Sequence, residues 1–242
     1  MTAHRTPADL DGPCDTQMMG IVHSALRRDL VRARLVLRDE APLADRRRVA
    51  LAKHILWLMD FLHEHHSNED AGLYPMTLRN DPSTAELIAD MASEHDRITP
   101  GIAALVTAAE SYRDDATAAA ALAEALVGLD AVLIPHLSRE ETVMMPVVST
   151  CVTQRELKAW DDEMNVGDKP MLQLAMEGHW LLDNLDESSR EVVVSLVPAL
   201  QRFVLLNFLG RPYKRRRKVL WHNSVAERVP SLSLERYPEY QS

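Results

Sequence analysis

His65-His66-Ser67-Asn68-Glu69-Asp70-Ala71-Gly72-Leu73-Tyr74-Pro75 decides how this chain is read, because it recurs as His136-Leu137-Ser138-Arg139-Glu140-Glu141-Thr142-Val143-Met144-Met145-Pro146. Both copies run His, three residues, Glu, a second acid, two residues, two large apolar residues, Pro. On an α-helix, residues i and i+4 share a face. Each copy therefore aims an imidazole and a carboxylate in one direction, about 6 Å apart along the axis. That is half a metal site, and the chain carries two.

Working outward, each copy lies on an apolar stripe with helical spacing. The second expected helix spans 45–78, with the stripe Leu51, Ile55, Leu58, Leu62, His65, Glu69, Leu73 and a bend near Gly72 and Pro75. The fourth spans 117–151, with Leu122, Leu126, Leu129, Leu133, His136, Glu140, Val143, Val147; Pro135 is expected to bend or interrupt it. A first helix over 17–38 has the stripe Met19, His23, Leu26, Leu30, Ala33, Leu37, leaving Arg27, Arg28, Arg32 and Arg34 to other faces. A third over 83–112 has Ile88, Met91, His95, Ile98, Ile102, Leu105, a capping box from Ser83 and Glu86, and a kink expected at Pro100-Gly101.

The four helices form two similar pairs. His23 and His65 are 42 residues apart, and His95 and His136 are 41 apart. Each half is a helix with one inward His, a turn, and a helix with His-x-x-x-Glu. Two such hairpins make an all-α, antiparallel up-down four-helix bundle over residues 16–151, with His23, His65, Glu69, His95, His136 and Glu140 at one level of its core. Residues 1–15 are expected to be disordered, with no role for His4. Residues 152–222 form a C-terminal helical extension, and 223–242 an irregular tail. In the extension, Thr153 and Glu156 are spaced as a second capping box. Helices are expected over 153–163, 171–185 and 189–209, followed by a solvated basic run, Lys214–Lys218. The apolar faces at 171–185 and 192–209 need cover, either the bundle itself or a second copy in a homodimer.

Buried carboxylates at one depth repel and are costly unless paired, and a cation removes both problems. Four imidazoles and two carboxylates without thiolate suit a hard or borderline transition metal. Two carboxylates on opposed helices can bridge two such ions. The expected cofactor is therefore two iron ions with an oxo or hydroxo bridge, with manganese or zinc as alternatives. Within the second helix, His66–Asp70 has the same spacing as His65–Glu69 but sits off the Leu58-Leu62-Leu73 stripe, as does His63. His54 is read as a core or supporting residue. Asp70, Glu94 and Glu141 are read as solvated, with orientation of a ligand's second nitrogen as the alternative. Tyr74, near the end of the second helix, is assigned to core packing, with approach to the site as the alternative.

A net charge of −9 argues against nucleic-acid binding. Two cysteines, Cys14 and Cys151, cannot build a disulfide framework and fit reduced thiols in a cytoplasmic protein; they are expected at one end of the bundle. The apolar run 192–209 is broken by Pro198, Gln201, Arg202 and Asn207, so no membrane span is expected.

The elements "MMGIVHSALRRDL", "HHSNEDAGLYP", "SEHDRI" and "HLSREETVMMP" resemble the hemerythrin-like family, the HHE cation-binding domain, in bacterial form with a C-terminal helical extension. The resemblance covers residues 17–150 and implies a non-haem di-iron centre on the six residues named above. Oxygen-carrying members have a five-His set with an extra His on the third helix; here Arg97, Ile98 and Thr99 stand near that place. The resemblance therefore implies binding of, or reaction with, O2, NO or peroxide, in redox, detoxification or biosynthetic chemistry. If the protein is an enzyme, it is a di-iron oxidoreductase. The alternative is a non-enzymatic oxygen, NO or iron sensor signalling through its C-terminal helices.

Overall fold

The computed structural model describes residues 9–40, 42–167, 169–196 and 208–240. The helices are α1 (Gln17–Glu40), α2 (Asp45–Asn68), α3 (Tyr74–Asn80), α4 (Ala85–Asp114), α5 (Ala119–Arg139), α6 (Met145–Cys151), α7 (Gln154–Trp160), α8 (Met171–Leu181), α9 (Glu187–Leu196) and α10 (Arg211–Trp221). Among the described residues the structure is all-α, a bundle of long helices with further helices behind it. α2 runs into α3, and α5 into α6, through one wide turn each, so the four long rods expected from the stripes are present. α5 passes through Pro135, and α4 through Pro100, without a break in the helix. The turn before α4 is capped by Asp81, whose side chain accepts from the Ser83 N–H, rather than by a Ser83–Glu86 box. The Thr153–Glu156 capping box is present at α7.

The core is built by the predicted stripes. Leu26, Leu30, Leu51, Ile55, Leu58, Leu62, Ile98, Leu105, Leu122, Leu126, Leu129 and Leu133 are all buried in one cluster. Ala116–Cys151 has the length and apolarity of a membrane span; here its Leu122-Leu126-Leu129-Leu133 edge lies in the bundle interior. The stripe departs from expectation after Glu140. Val143 is exposed, while Met144 and Val148 are buried.

The larger departure concerns α1. Arg27, Arg28 and Arg32 were expected on outer faces, yet none has any exposed surface. The extension covers the back of α1 and makes it a central rod. Trp180, Tyr213, Leu220, Trp221 and Ala226 join the same core cluster as the bundle leucines. The covering backbone turns there and presents to α1 carbonyls whose second lone pairs take further donors. The arginines supply them: Arg28 donates to the carbonyls of Asp183 (2.6 Å) and Trp180 (2.9 Å), and Arg32 to those of Ala226 and Val229 (both 3.1 Å). Asp29 balances the charge, accepting from Arg28 Nε, Arg32 Nη1, His54 Nε2 and Trp180 Nε1. His54 is thus a core residue far from the inward-facing cluster. Its other nitrogen accepts from Arg216 at 2.6 Å.

The basic run is only partly solvated: Lys214, Arg215 and Lys218 are exposed, while Arg216 and Arg217 turn inward. It lies within α10, where Arg216 sits over the Trp57 ring and Arg217 pairs with Asp183 at 2.7 Å. The tail is not free either: Val229, Leu232 and Tyr237 pack on Val31. Residues 10–15 are tied to the start of α7 by Cys14 N–H to Val152 O, Gln154 N–H to Gly12 O and Arg155 N–H to Leu10 O. His4 and residues 197–207 of the expected 189–209 helix lie outside the described residues. Cys14 and Cys151 sit in one small cluster, unbonded; burial pushes the Cys14 thiol up to about 11.

Candidate metal centre

Both motif copies place their Glu at the first residue of a π-turn, Glu69–Leu73 and Glu140–Met144. The Tyr74 N–H reaches back five residues to Glu69 O, and the Met145 N–H to Glu140 O. Pro75 and Pro146 follow at once. Proline has no N–H to offer the α-helical ladder, and the widened turn is how the helix continues past it; such single π-turns concentrate at functional sites. In the first copy, Gly72 leaves room for Trp160, whose ring atoms would stand 2.5 Å from any Cβ there.

All six predicted residues converge. His23 Nε2 lies 3.2 Å from His65 Nε2, and His95 Nε2 lies 3.2 Å from His136 Nε2. Glu69 lies between the two pairs, with Oε1 3.1 Å from His65 Nε2 and Oε2 3.7 Å from His95 Nε2. Glu140 Oε2 is 3.4 Å from His23 Nε2 and 3.7 Å from His136 Nε2. The donor atoms fall into two clusters able to hold a metal: His23, His65, Glu69 and Glu140 in one, His66, His95 and His136 in the other.

The outer nitrogens are held by carboxylates. His23 Nδ1 donates to Glu141 (2.9 Å), His95 Nδ1 to Asp70 (3.0 Å) and His136 Nδ1 to Glu94 (2.9 Å). Glu94 and Glu141 are therefore largely covered orienting groups, and Asp70 orients His95 while remaining exposed to solvent. Arg27 holds Glu141 at 2.7 Å, and Arg139 holds Glu94 at 2.6 Å. With its proton on Nδ1, each ring turns a lone pair inward from Nε2. In the His95–His136 pair, two such facing lone pairs cannot hydrogen-bond each other. Glu69 Oε1 and Oε2 and Glu140 Oε2 are also buried without a hydrogen bond. The interior thus concentrates imidazole nitrogens and unpaired carboxyl oxygens, a donor set that a cation satisfies.

Ionisation follows the same geometry. Burial, with help from Arg27 and the neighbouring imidazoles, holds His23 well below the usual histidine range; burial and its imidazole neighbours do the same to His65. Burial and His95 bring His136 down to about 4. Burial and the adjacent Glu140 push Glu69 well above the carboxylate range. Burial takes Glu140 up to about 8 despite the Tyr74 hydrogen bond. Neutral imidazoles are the ligating form, and a bound cation would return both carboxyls to their anions.

Two residues matter more than their sequence positions suggested. Tyr74 is packed, as expected, but its hydroxyl also donates to Glu140 Oε1 at 2.9 Å. His66 was set aside as off the stripe, yet it is buried and stacked on His95, with ring centroids 4.1 Å apart. α2 stands between α1 and α4, so two adjacent positions both face inward: His65 meets His23 and His66 meets His95. The doubled His65-His66 was the available signal. His63, by contrast, is exposed.

The hemerythrin HHE cation binding domain matches residues 16–148. The chain belongs to that family. The match takes in three of the long rods whole, the fourth as far as Val148, and every residue of both clusters. No curated protein and no solved structure matches the chain. As a hemerythrin-family protein it carries a cation-binding bundle, to which α7 is added against the Glu69–Leu73 turn and α8–α10 and the tail behind α1.

Proposed function

We propose that this hemerythrin-family chain holds two iron ions and binds or reacts with a small ligand of the O2, NO or peroxide class. The observation that carries the reading is the buried interior of unpaired carboxyl oxygens, with Glu69 and Glu140 set between two imidazole pairs. His23, His65, His95 and His136 would each supply Nε2, Glu69 both oxygens, and Glu140 its Oε2. The absence of thiolate from the donor set favours iron, with manganese as a second choice; zinc more often settles for four donors. When bound, the metal pair supplies Lewis-acid and redox chemistry toward the small ligand. The chain's own residues do the rest. Tyr74 occupies Glu140 Oε1, which leaves Oε2 turned inward. Asp70, Glu94 and Glu141 fix the ring orientations. Leu62, Leu73, Met91, Leu133 and Met144 lie a turn from the ligands along their helices and have no exposed surface; they exclude water.

A second reading, a sensor, is favoured by one contact. Phe61 stacks on His65 (centroids 6.2 Å apart) and meets Trp180 of α8 edge-on (4.8 Å). A change at the ligand would thus reach the extension through one ring. The test is the optical spectrum of iron-loaded protein under air, NO and peroxide. A metal-dependent spectrum that changes with one of these supports the reading, and turnover with that ligand selects enzyme over sensor. A spectrum indifferent to all three rejects it.

A further inference from the structure

We propose that the groove between α2 and α8 binds a small organic cation, an ammonium carried on a flat apolar body, and that its occupancy reaches the metal layer through Phe61. The binding half stands without a metal; the coupling half rests on the two-metal reading above.

The sequence of α2 sets up one wall. Trp57 and Phe61 are four residues apart, as are Asp60 and Glu64, so two rings and two carboxylates alternate along one side of the helix. The first two turns of α8 form the other wall, with Leu172, Met176 and Glu177. Between them lies a cavity of about 510 Å³, within the ~300–1,000 Å³ of small-molecule sites. Leu172 lines it and is still 54% exposed; an apolar occupant would cover it.

The charges select the occupant. Asp60, Glu64 and Glu177 line the groove, and Arg216 is the one cation among the described lining residues. Arg216 is turned into the core, over the Trp57 ring (4.6 Å) and donating to His54 Nδ1 (2.6 Å). Lys169 lies beside the groove and is shared by Glu64 (3.1 Å) and Glu177 (3.3 Å). Three carboxylates against two committed cations leave one negative charge unmatched. It is that of Asp60, which is exposed and has no ion-pair partner among the described residues. A carboxylate beside an aromatic wall suits an ammonium, because the acid takes the charge and ring faces attract cations. An anionic ligand meets three like charges instead.

Phe61 connects the groove to the bundle. Its ring lies parallel to that of His65 (14°, centroids 6.2 Å apart), and His65 is the least covered of the six expected ligands, at 8% exposure. A ligand pressed on Phe61 therefore acts on the ring beside a metal-layer imidazole without entering that layer.

The experiment titrates three probes of one shape, phenethylamine, phenethyl alcohol and phenylacetate, into the full chain by calorimetry, metal-free and iron-loaded. The optical spectrum is followed in the loaded protein. The amine should bind about 5–10-fold tighter than the alcohol, and phenylacetate weaker than both. Asp60→Asn should bring the amine down to the alcohol, Lys169→Met should tighten the amine, and Leu172→Ser should weaken amine and alcohol alike. Asp60 and Leu172 are exposed, so their variants should keep the wild-type Tm. In loaded protein the amine should shift the spectrum with the calorimetric Kd, and Phe61→Leu should bind the amine without that shift. No measurable amine binding, equal affinity for the three probes, or unchanged amine binding in Asp60→Asn would overturn the binding half. A spectrum unmoved by bound amine, or moved with a midpoint away from the calorimetric Kd, would overturn the coupling half. A chain that takes up no metal would sink the two-metal reading and the coupling half, while calorimetry on the metal-free chain still decides the groove.

Discussion

Replacing Glu69 by Gln should move stability in opposite directions with and without metal. Glu69 has no exposed surface, and neither of its oxygens has a hydrogen bond. Leaving a buried polar group unpaired costs about 1–3 kcal/mol, and more if it is charged. Gln keeps the shape, cannot ionise, and places an amide, both donor and acceptor, where Oε1 stands 3.1 Å from His65 Nε2. Metal-free Glu69→Gln should therefore be more stable than wild type by about 1–3 kcal/mol, or about 2–12 °C in Tm for a chain of this size. The loaded protein behaves oppositely, because both metal positions lose a shared donor. A 100-fold weaker Kd removes about 2.7 kcal/mol of ligand-linked stability, which shrinks the metal-induced rise in Tm by about 5–11 °C. Thermal unfolding with chelator and with saturating iron measures both arms. A metal-free variant less stable than wild type, or an undiminished metal-induced rise, would refute the reasoning.

Three further outcomes follow from other parts of the molecule. Trp180→Ala removes a fully buried ring packed on Trp57 and Phe61 and a donor to Asp29; it should cost about 3–5 kcal/mol, or about 6–20 °C in Tm, and a loss under about 1 kcal/mol would show that the extension is not part of the core. Burial and Arg216 bring His54 down to about 4 from 6.5, so its contribution is complete above pH 6.5 and is lost as pH falls toward 4, roughly 3 kcal/mol in all. Asp29, held low by Arg28, the His54 hydrogen bond and Arg32 against the cost of burial, acts in the same sense. His54→Gln should flatten the urea midpoint measured from pH 7.5 down to 4.5, and an unaltered slope would contradict this. Tyr74→Phe should keep two metals per chain with affinity weakened ~10–100-fold, as for other partners that orient a ligand; complete metal loss would mean that Tyr74 does more than hold Glu140.

The bundle was legible because each inward polar residue interrupts an apolar stripe at helical spacing and because the stripes repeat. His23 and His95 are single histidines whose meaning came only from the matching gaps to the two His-x-x-x-Glu motifs. What escaped the sequence shares one cause. A stripe describes a helix with one covered face, whereas α1 is covered on every side. Arg27, Arg28 and Arg32 therefore look like surface residues until the extension lies over them. The same narrow arc removed His66 from consideration, although α2 has neighbours on both sides of it. Downstream of Glu140 the π-turn moves the buried phase from Val143 and Val147 to Met144 and Val148, because an i+5 turn holds one residue more than the stripe allows. The orienting acids Asp70 and Glu141 adjoin the motif glutamates and act across to the opposite hairpin, on His95 and His23. Sequence distance cannot show that.

The most direct test of the central claim is metal per chain in purified protein after anaerobic iron loading and removal of loosely bound metal, for wild type beside Glu69→Ala and Glu140→Ala. The account predicts two irons per wild-type chain and loss of metal in both variants. Fewer than one metal per wild-type chain, with iron, manganese or zinc offered, would contradict it.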